Sequence, residues 1–209
     1  MDKFRTRIGL GYTTKPSQNP QLQSSIFVPF LFQKTVYINL PERTDKKNHM
    51  GKILYNLKIK AERIEGVKNE NRQIGCALAH LKALKLLQQQ KNLDNILIFE
   101  DDIVPDHRHE IPNIDFEWDM LFLGITRPKF TDPVGAIRRL QKGRCAHAYA
   151  VNRSCVDFLI EEVSKNLQKL AVDVVYENNF PKIKAFAFWP CIFRQNKKLG
   201  SDIVGHNHG

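Results

Sequence analysis

The segment Ile96-Leu97-Ile98-Phe99-Glu100-Asp101-Asp102 runs four apolar residues straight into three acids. A short, unbroken apolar run is the signature of a strand buried on both faces, as in a parallel sheet. Carboxylates at the C-terminal end of such a strand lie where open α/β sheets bind their ligands. Three adjacent like charges repel, and ionised carboxylates are costly to bury unless paired or bound to a metal. Oxygen donors of this kind suit Mg²⁺ or Mn²⁺, which keep several waters and share the rest of their shell with substrate phosphates. The same residues have a second reading, because Asp and Glu are also favoured where a helix begins. The triplet therefore predicts either a cation site or an acidic helix cap.

Outward from this strand, helical and extended patterns alternate. Val36 to Leu40 reads as a first strand, followed by the polar turn Pro41-Glu42-Arg43-Thr44-Asp45 and a helix through about Asn56. Lys58 to Ile64 reads as a second strand. Between Arg72 and Gln90 the apolar positions Ile74, Leu78, Leu81, Leu84 and Leu87 step by three or four, a helical period. Trp118 to Leu123 predicts a buried strand ended by Gly124, and Ala146 to Val151 a further one. A helix opened by Asn152 is predicted over 154–170, a short helix over 173–178 and a late, edge-like strand over 184–189. Strands alternating with helices, with no repeat and no long linker, predict one α/β sheet domain. Residues 1–33, including Gly9 and Gly11, give no assignable motif.

The chain has 209 residues, with 42% apolar and 26% charged side chains, the composition of a globular protein. No stretch approaches the roughly 20 apolar residues of a membrane span, and no secretory signal is legible at the N-terminus. Cys76, Cys145, Cys155 and Cys191 are scattered. They suggest neither a zinc motif nor a disulfide framework, but a reduced intracellular setting. Net charge is +10, yet nine acids lie between Asp94 and Asp119 against one strong base, Arg108. An acidic pocket in a basic body suits a polyanionic substrate such as a nucleotide diphosphate. The same charge also permits contact with nucleic acid or an anionic membrane.

Four blocks of the sequence together resemble glycosyltransferase family 25. They are Val36-Tyr37-Ile38-Asn39-Leu40-Pro41-Glu42-Arg43-Thr44-Asp45; Gly75-Cys76-Ala77-Leu78-Ala79-His80; Ile98-Phe99-Glu100-Asp101-Asp102; and a looser set of His147 to Ala150, Asp173-Val174-Val175, Trp189-Pro190 and Ser201-Asp202-Ile203. Ala79 stands where the family usually has serine. The resemblance implies a catalytic domain over 34–209 with a GT-A-like, Rossmann-related mixed sheet flanked by helices. It also implies a metal-dependent inverting transfer of a hexose, galactose favoured, from a UDP-sugar to a glycan, lipid-linked or protein acceptor. The implied cofactor is Mn²⁺ or Mg²⁺. On this resemblance Asp102 and Glu100 would bind the ion, with His206 and His208 completing its shell, while Asn39, Leu40, Arg43, His80, Glu100 and Asp101 would hold the donor. Asp173 would be the base. Arg43 can stack on a base or fork onto phosphate.

Each of these residues also has a plainer reading. Arg43 fits a solvated turn, His80 a core histidine, Asp173 a helix cap, and His206 with His208 a frayed tail. Trp189 or Tyr149 fits either a sugar-stacking face or the core. Two other functions use the same ingredients: a metal-dependent nuclease or phosphotransferase, and a non-catalytic binding module. The nuclease reading wants a second carboxylate cluster or an acid-x-Lys pair on a neighbouring strand; the sequence offers neither clearly, so no nucleic-acid partner is expected. A cytoplasmic enzyme is expected, touching a membrane peripherally through basic patches.

Overall fold

The computed structural model describes residues 31–106, 114–132 and 134–202. Its core is a six-stranded mixed sheet flanked by helices, as expected. The elements run β1 (Thr35–Asn39), α1 (Thr44–Leu57), β2 (Glu62–Glu65), α2 (Arg72–Gln89), β3 (Asn95–Glu100), β4 (Ile103–Pro105), β5 (Met120–Phe130), β6 (Ile137–Asn152), α3 (Arg153–Asn166), α4 (Val172–Asn179), β7 (Ala185–Phe188) and β8 (Phe193–Gln195). The sheet order is β2-β1-β3-β6-β5-β7, with β4 and β8 forming a separate two-stranded pair. Among the described residues no helix is long and apolar enough to cross a membrane.

Alternation along the strands explains the layers. Ile96 and Ile98 of β3 point to one face, with Val36, Phe122, Tyr149 and Val151, and are covered by the apolar sides of α2, α3 and α4. Leu97 and Phe99 point to the other, with Tyr37, Leu121 and Ala150, under Met50 and Leu54 of α1. Every one of these β3 side chains is fully buried, which is why the run carries no polar residue until it leaves the sheet. Asn152 caps α3 through its side chain, as anticipated, and Asn71 caps α2 by accepting from the amides of Gln73 and Ile74.

The sheet departs from the sequence expectation in its second half. The strand beginning at Met120 does not stop at Gly124 but continues to Phe130, and its partner starts at Ile137 rather than Ala146. Gly124 is a packing position: a Cβ there would lie 2.4 Å from His147 Nε2. The strand passes the imidazole because it has no side chain at that point. Beyond it β5 and β6 form a long ribbon, and Ile137 to Arg139 pair with β7. β7 is thus bonded on both sides, to β5 and to β6, and is not a free edge. The helix predicted to reach Leu170 ends at Asn166.

β3 lies parallel to β1 and antiparallel to β6. The direction of neighbouring strands therefore changes beside β3. β2 and β3 run parallel to β1 on its opposite sides, so the strand order reverses between β1 and β3. A crevice opens outside strand ends at such a switch point, and the acidic triplet stands at its edge.

Candidate functional site

No helix follows the triplet. Glu100 is the last residue of β3, and Asp101 and Asp102 make a turn into β4, so the helix-cap reading of these acids is overturned. Their surroundings fix each carboxylate differently. Glu100 faces His80 Nε2 at 3.5 Å and accepts from Gln195 Nε2 at 3.1 Å. Burial opposes its charge, but the neighbouring His80, with His147 and Lys46 behind, holds it below the ordinary carboxylate range. Asp101 accepts from the Asn39 amide at 2.8 Å and lies 3.1 Å from Lys46 Nζ. Burial still pushes its carboxyl up, against both of those partners. Asp102 is 3.9 Å from Lys46 Nζ, and its Oδ1 is buried without a hydrogen-bond partner.

The residues after β1 build the rim. Asn39 is buried; its amide also donates to the Arg43 carbonyl at 3.0 Å, and its Oδ1 accepts from Arg63 Nε at 2.9 Å. Its side chain thus braces the turn and the acid rather than standing free. Leu40 lines the cleft. Arg43 forks onto Asp45, pairs with Asp202 and donates to the Leu199 carbonyl at 2.7 Å. It is not a solvated turn residue. It ties the segment 197–202 down over the site.

His80 sits on α2 and is 1% exposed. Its Nδ1 is 2.7 Å from the Tyr149 hydroxyl, which in turn lies 3.1 Å from that of Tyr176. His80 is therefore both a core residue and a contact of the acidic site. Tyr149 is wholly core, and Trp189 packs against Phe130, away from the clefts. Gly75, in the first turn of α2, lets the helix approach the loop after β2, since a Cβ there would meet the Val67 carbonyl oxygen at 2.4 Å.

Sequence reasoning missed Lys46, which is 2% exposed and reaches Asp202 at 2.6 Å as well as Asp101. The signal was present: Lys46, Met50 and Leu54 step by four, so the lysine shares the buried face of α1. Burial works against its ammonium, but Asp101, Asp202 and Asp102 outweigh this and raise its pKa. Gln195 and Cys76 were likewise not foreseen as site residues. No motif contains Gln195, because β8 returns to the site only through tertiary pairing with β4.

Two clefts meet here. One, of about 380 Å³, is lined by Asn39, Leu40, Arg43, Lys68, Arg72 and His80 among others; the second, of about 390 Å³, contains Cys145, Asp173 and Asn196. Glu100 and Asp102 line both, with Cys76, Gln195 and Ser201. Asp173 lies in the first turn of α4, whose cap is Ala171, so the cap reading fails. Its carboxylate accepts from the amides of Cys145 at 3.0 Å and Val174 at 2.9 Å. Cys145 has φ +58, a left-handed conformation costly for a residue with a side chain, and such strain gathers at functional sites. His206 and His208 lie outside the described residues.

The donors fit a divalent cation. Asp102 offers an unpartnered buried oxygen, and the ligand atoms of Cys76, His80 and Glu100 lie within 4.8 Å of one another. Burial, then the charge of Glu100, pushes Asp102 up to about 7. A carboxyl raised above its ordinary 3.8 contributes stability that is full below that value and is lost as pH climbs through about 7. Without a cation, this raised pKa leaves the fold less stable at pH 8 than below pH 3.8 by on the order of 2–4 kcal/mol. Asp102→Asn is expected to raise Tm by several degrees at pH 8 and to leave it unchanged at pH 4, measured by calorimetry. Added Mn²⁺ should raise Tm of the wild type but not of the variant. Equal cation-free Tm values at pH 8 would contradict this account.

No family model and no curated protein sequence matches the chain. Several solved structures resemble the chain at low identity. A glycosyltransferase involved in glycosylation of the major capsid of PBCV-1 is 12% identical, covering 81% of this chain and 95% of its own, with a TM-score of 0.49. A Drosophila galactosyltransferase 7 variant in complex with manganese, UDP-Gal and xylobiose is 12% identical, covering 84% and 77%, at 0.44. A nucleoside-diphosphate-sugar pyrophosphorylase from Vibrio cholerae is 13% identical, covering 75% and 72%, at 0.46.

Proposed function

We propose that this chain is a divalent-cation-dependent, inverting glycosyltransferase of GT-A type, with residues 34–209 as its catalytic domain. It transfers a hexose, galactose favoured, from a UDP-sugar to a hydroxyl of a glycan, lipid-linked or protein acceptor. The observation that carries this reading is the meeting of two clefts on one pair of carboxylates, Glu100 and Asp102, with Asp173 in the second cleft alone. A transferase needs that plan: one compartment for the donor, one for the acceptor, and the bond between them over shared floor. The four sequence blocks that resemble glycosyltransferase family 25 supply three parts of it, namely the rim after β1, the Gly75 to His80 helix and the acidic triplet.

The first cleft is the donor side. Leu40, the loop residue Lys68 and Arg72 at the start of α2 line it, offering an apolar surface and two cations to a nucleoside diphosphate. Asp102 and Glu100 would hold Mn²⁺ or Mg²⁺, with His80 at hand, and the ion would supply positive charge against the leaving diphosphate. Asp101 is engaged by Asn39 and Lys46 and holds the floor in place. On the acceptor side, Asp173 is steadied by two backbone amides and keeps lone pairs for a proton. In a single displacement the acceptor oxygen bonds to the sugar anomeric carbon, the bond to the diphosphate oxygen breaks, and the acceptor proton passes to Asp173.

The test is a panel of nucleotide sugars incubated with the protein and Mn²⁺, with products resolved by ion-exchange chromatography. Slow release of UDP from one donor is expected, lost with chelator and reduced at least about 100-fold in Asp102→Ala. Release of UMP and sugar 1-phosphate instead, from attack at the nucleoside-linked phosphorus, would identify a nucleotidyl transfer and end the glycosyltransferase reading.

A further inference from the structure

The β5–β6 ribbon carries a charge that the site does not use. From Thr126 to Arg144 it holds six bases, Arg127, Lys129, Arg138, Arg139, Lys142 and Arg144, against one acid, Asp132. Of these bases only Arg144 is ion-paired among the described residues, to Glu177 at 3.0 Å. Lys129 and Lys142 stand directly opposite each other in the strand pairing. Like charges so placed repel and destabilise a ribbon unless an anion bridges them.

Apolar groups accompany the charge. Val134, in the turn of the ribbon, is 80% exposed. Trp189, 38% exposed, donates its amide to the Ala136 carbonyl beside that turn and meets Phe130 edge-on at 5.5 Å. The Arg138 guanidinium lies 5.5 Å from the centre of the Phe130 ring. Bases flanking an exposed aliphatic tip and a half-exposed indole match a bilayer interface. There, indole sits at headgroup level and the cations meet anionic lipid. A nucleic acid would use the charge but gives the exposed valine no partner.

We propose that the β5–β6 ribbon, through Val134, Trp189, Arg138 and the facing Lys129 and Lys142, docks the protein on the surface of an anionic bilayer. The base of the ribbon contributes Cys145 and Ala146 to the second cleft, so docking brings that cleft toward the lipid surface. This is independent of the chemistry in the clefts, and each can fail without the other.

The experiment is co-sedimentation of the full chain with large vesicles of phosphatidylcholine, with and without one-third phosphatidylglycerol, at low and high salt. Binding is expected only with the anionic lipid and is expected to weaken with salt. Each basic residue at such a surface strengthens binding about fivefold, so Lys129→Ala with Lys142→Ala should weaken it about 30-fold. Val134→Asp should weaken binding at both salt concentrations with Tm unchanged, because that side chain is exposed, while removing the facing lysines should leave Tm equal or slightly raised. Equal binding to neutral vesicles, no binding to either, or affinity of the double-lysine variant equal to wild type would overturn the proposal. So would tight binding to a random RNA with none to vesicles.

Discussion

Asp173→Asn is expected to lower the rate of UDP release, to water or to a hydroxyl acceptor, by about 100- to 10,000-fold. Nucleotide affinity should stay within about twofold of wild type. The split follows from position. Asp173 lines the second cleft and not the first, whereas Glu100 and Asp102 line both. An amide oxygen can still accept from Cys145, but the side chain can no longer take a proton. Loss of one of its two backbone hydrogen bonds should cost about 1 kcal/mol of stability, too little to unfold the domain. Initial rates at saturating donor and Mn²⁺, with nucleotide binding by calorimetry, separate the two effects. Unchanged turnover would remove Asp173 from the chemistry and leave it as an anchor for the strained backbone at Cys145.

Lys46→Met is expected to destabilise the protein by about 3 kcal/mol or more, which for a chain of this size is a fall in Tm of roughly 6–12 °C. Methionine keeps the apolar stem against α1's neighbours but removes the one ammonium that reaches Asp101 and Asp202 and faces Asp102. Two buried carboxylates are then left short of a countercharge, and that is the costly half of breaking a buried pair. Adding Asp202→Asn should recover part of the loss, a coupling that a double-mutant cycle reads directly. Because the lysine's pKa is raised above its ordinary 10.5, its contribution is complete below that value and fades only as pH rises through the higher folded one. Between pH 7 and pH 9 the lysine itself stays charged while Asp102 finishes ionising, so the Tm deficit should be larger at pH 9 than at pH 7. A variant with wild-type Tm would show that the carboxylates do not depend on Lys46.

Periodicity and capping were enough to place β1, α1, α2, β3, α3, α4 and β7 close to where they lie, because each is written locally. Ile96 to Phe99 could only be a strand buried on both faces, and Asn152 could satisfy the first amides of a helix at the position it occupies. The acidic triplet was also legible as a cluster in need of partners, since three adjacent carboxylates must find counterions. What was not legible is long-range. Gly124 signals a break when only its neighbours in sequence are considered, and a close passage once His147 is packed beside it. β4 and β8 are three residues each, too short for a pattern, and exist because they pair with each other.

The chain's order of residues alone settled that an apolar strand delivers Glu100, Asp101 and Asp102 to the edge of an α/β sheet, because burial and charge repulsion act on adjacent residues. Only the folded molecule decided which carboxylate is neutralised from within and which is left open. Lys46, Asn39, Gln195 and Asp202 reach the triplet from four separate parts of the chain, and a buried carboxylate takes its charge state from whatever lies within a few ångströms, however distant in sequence.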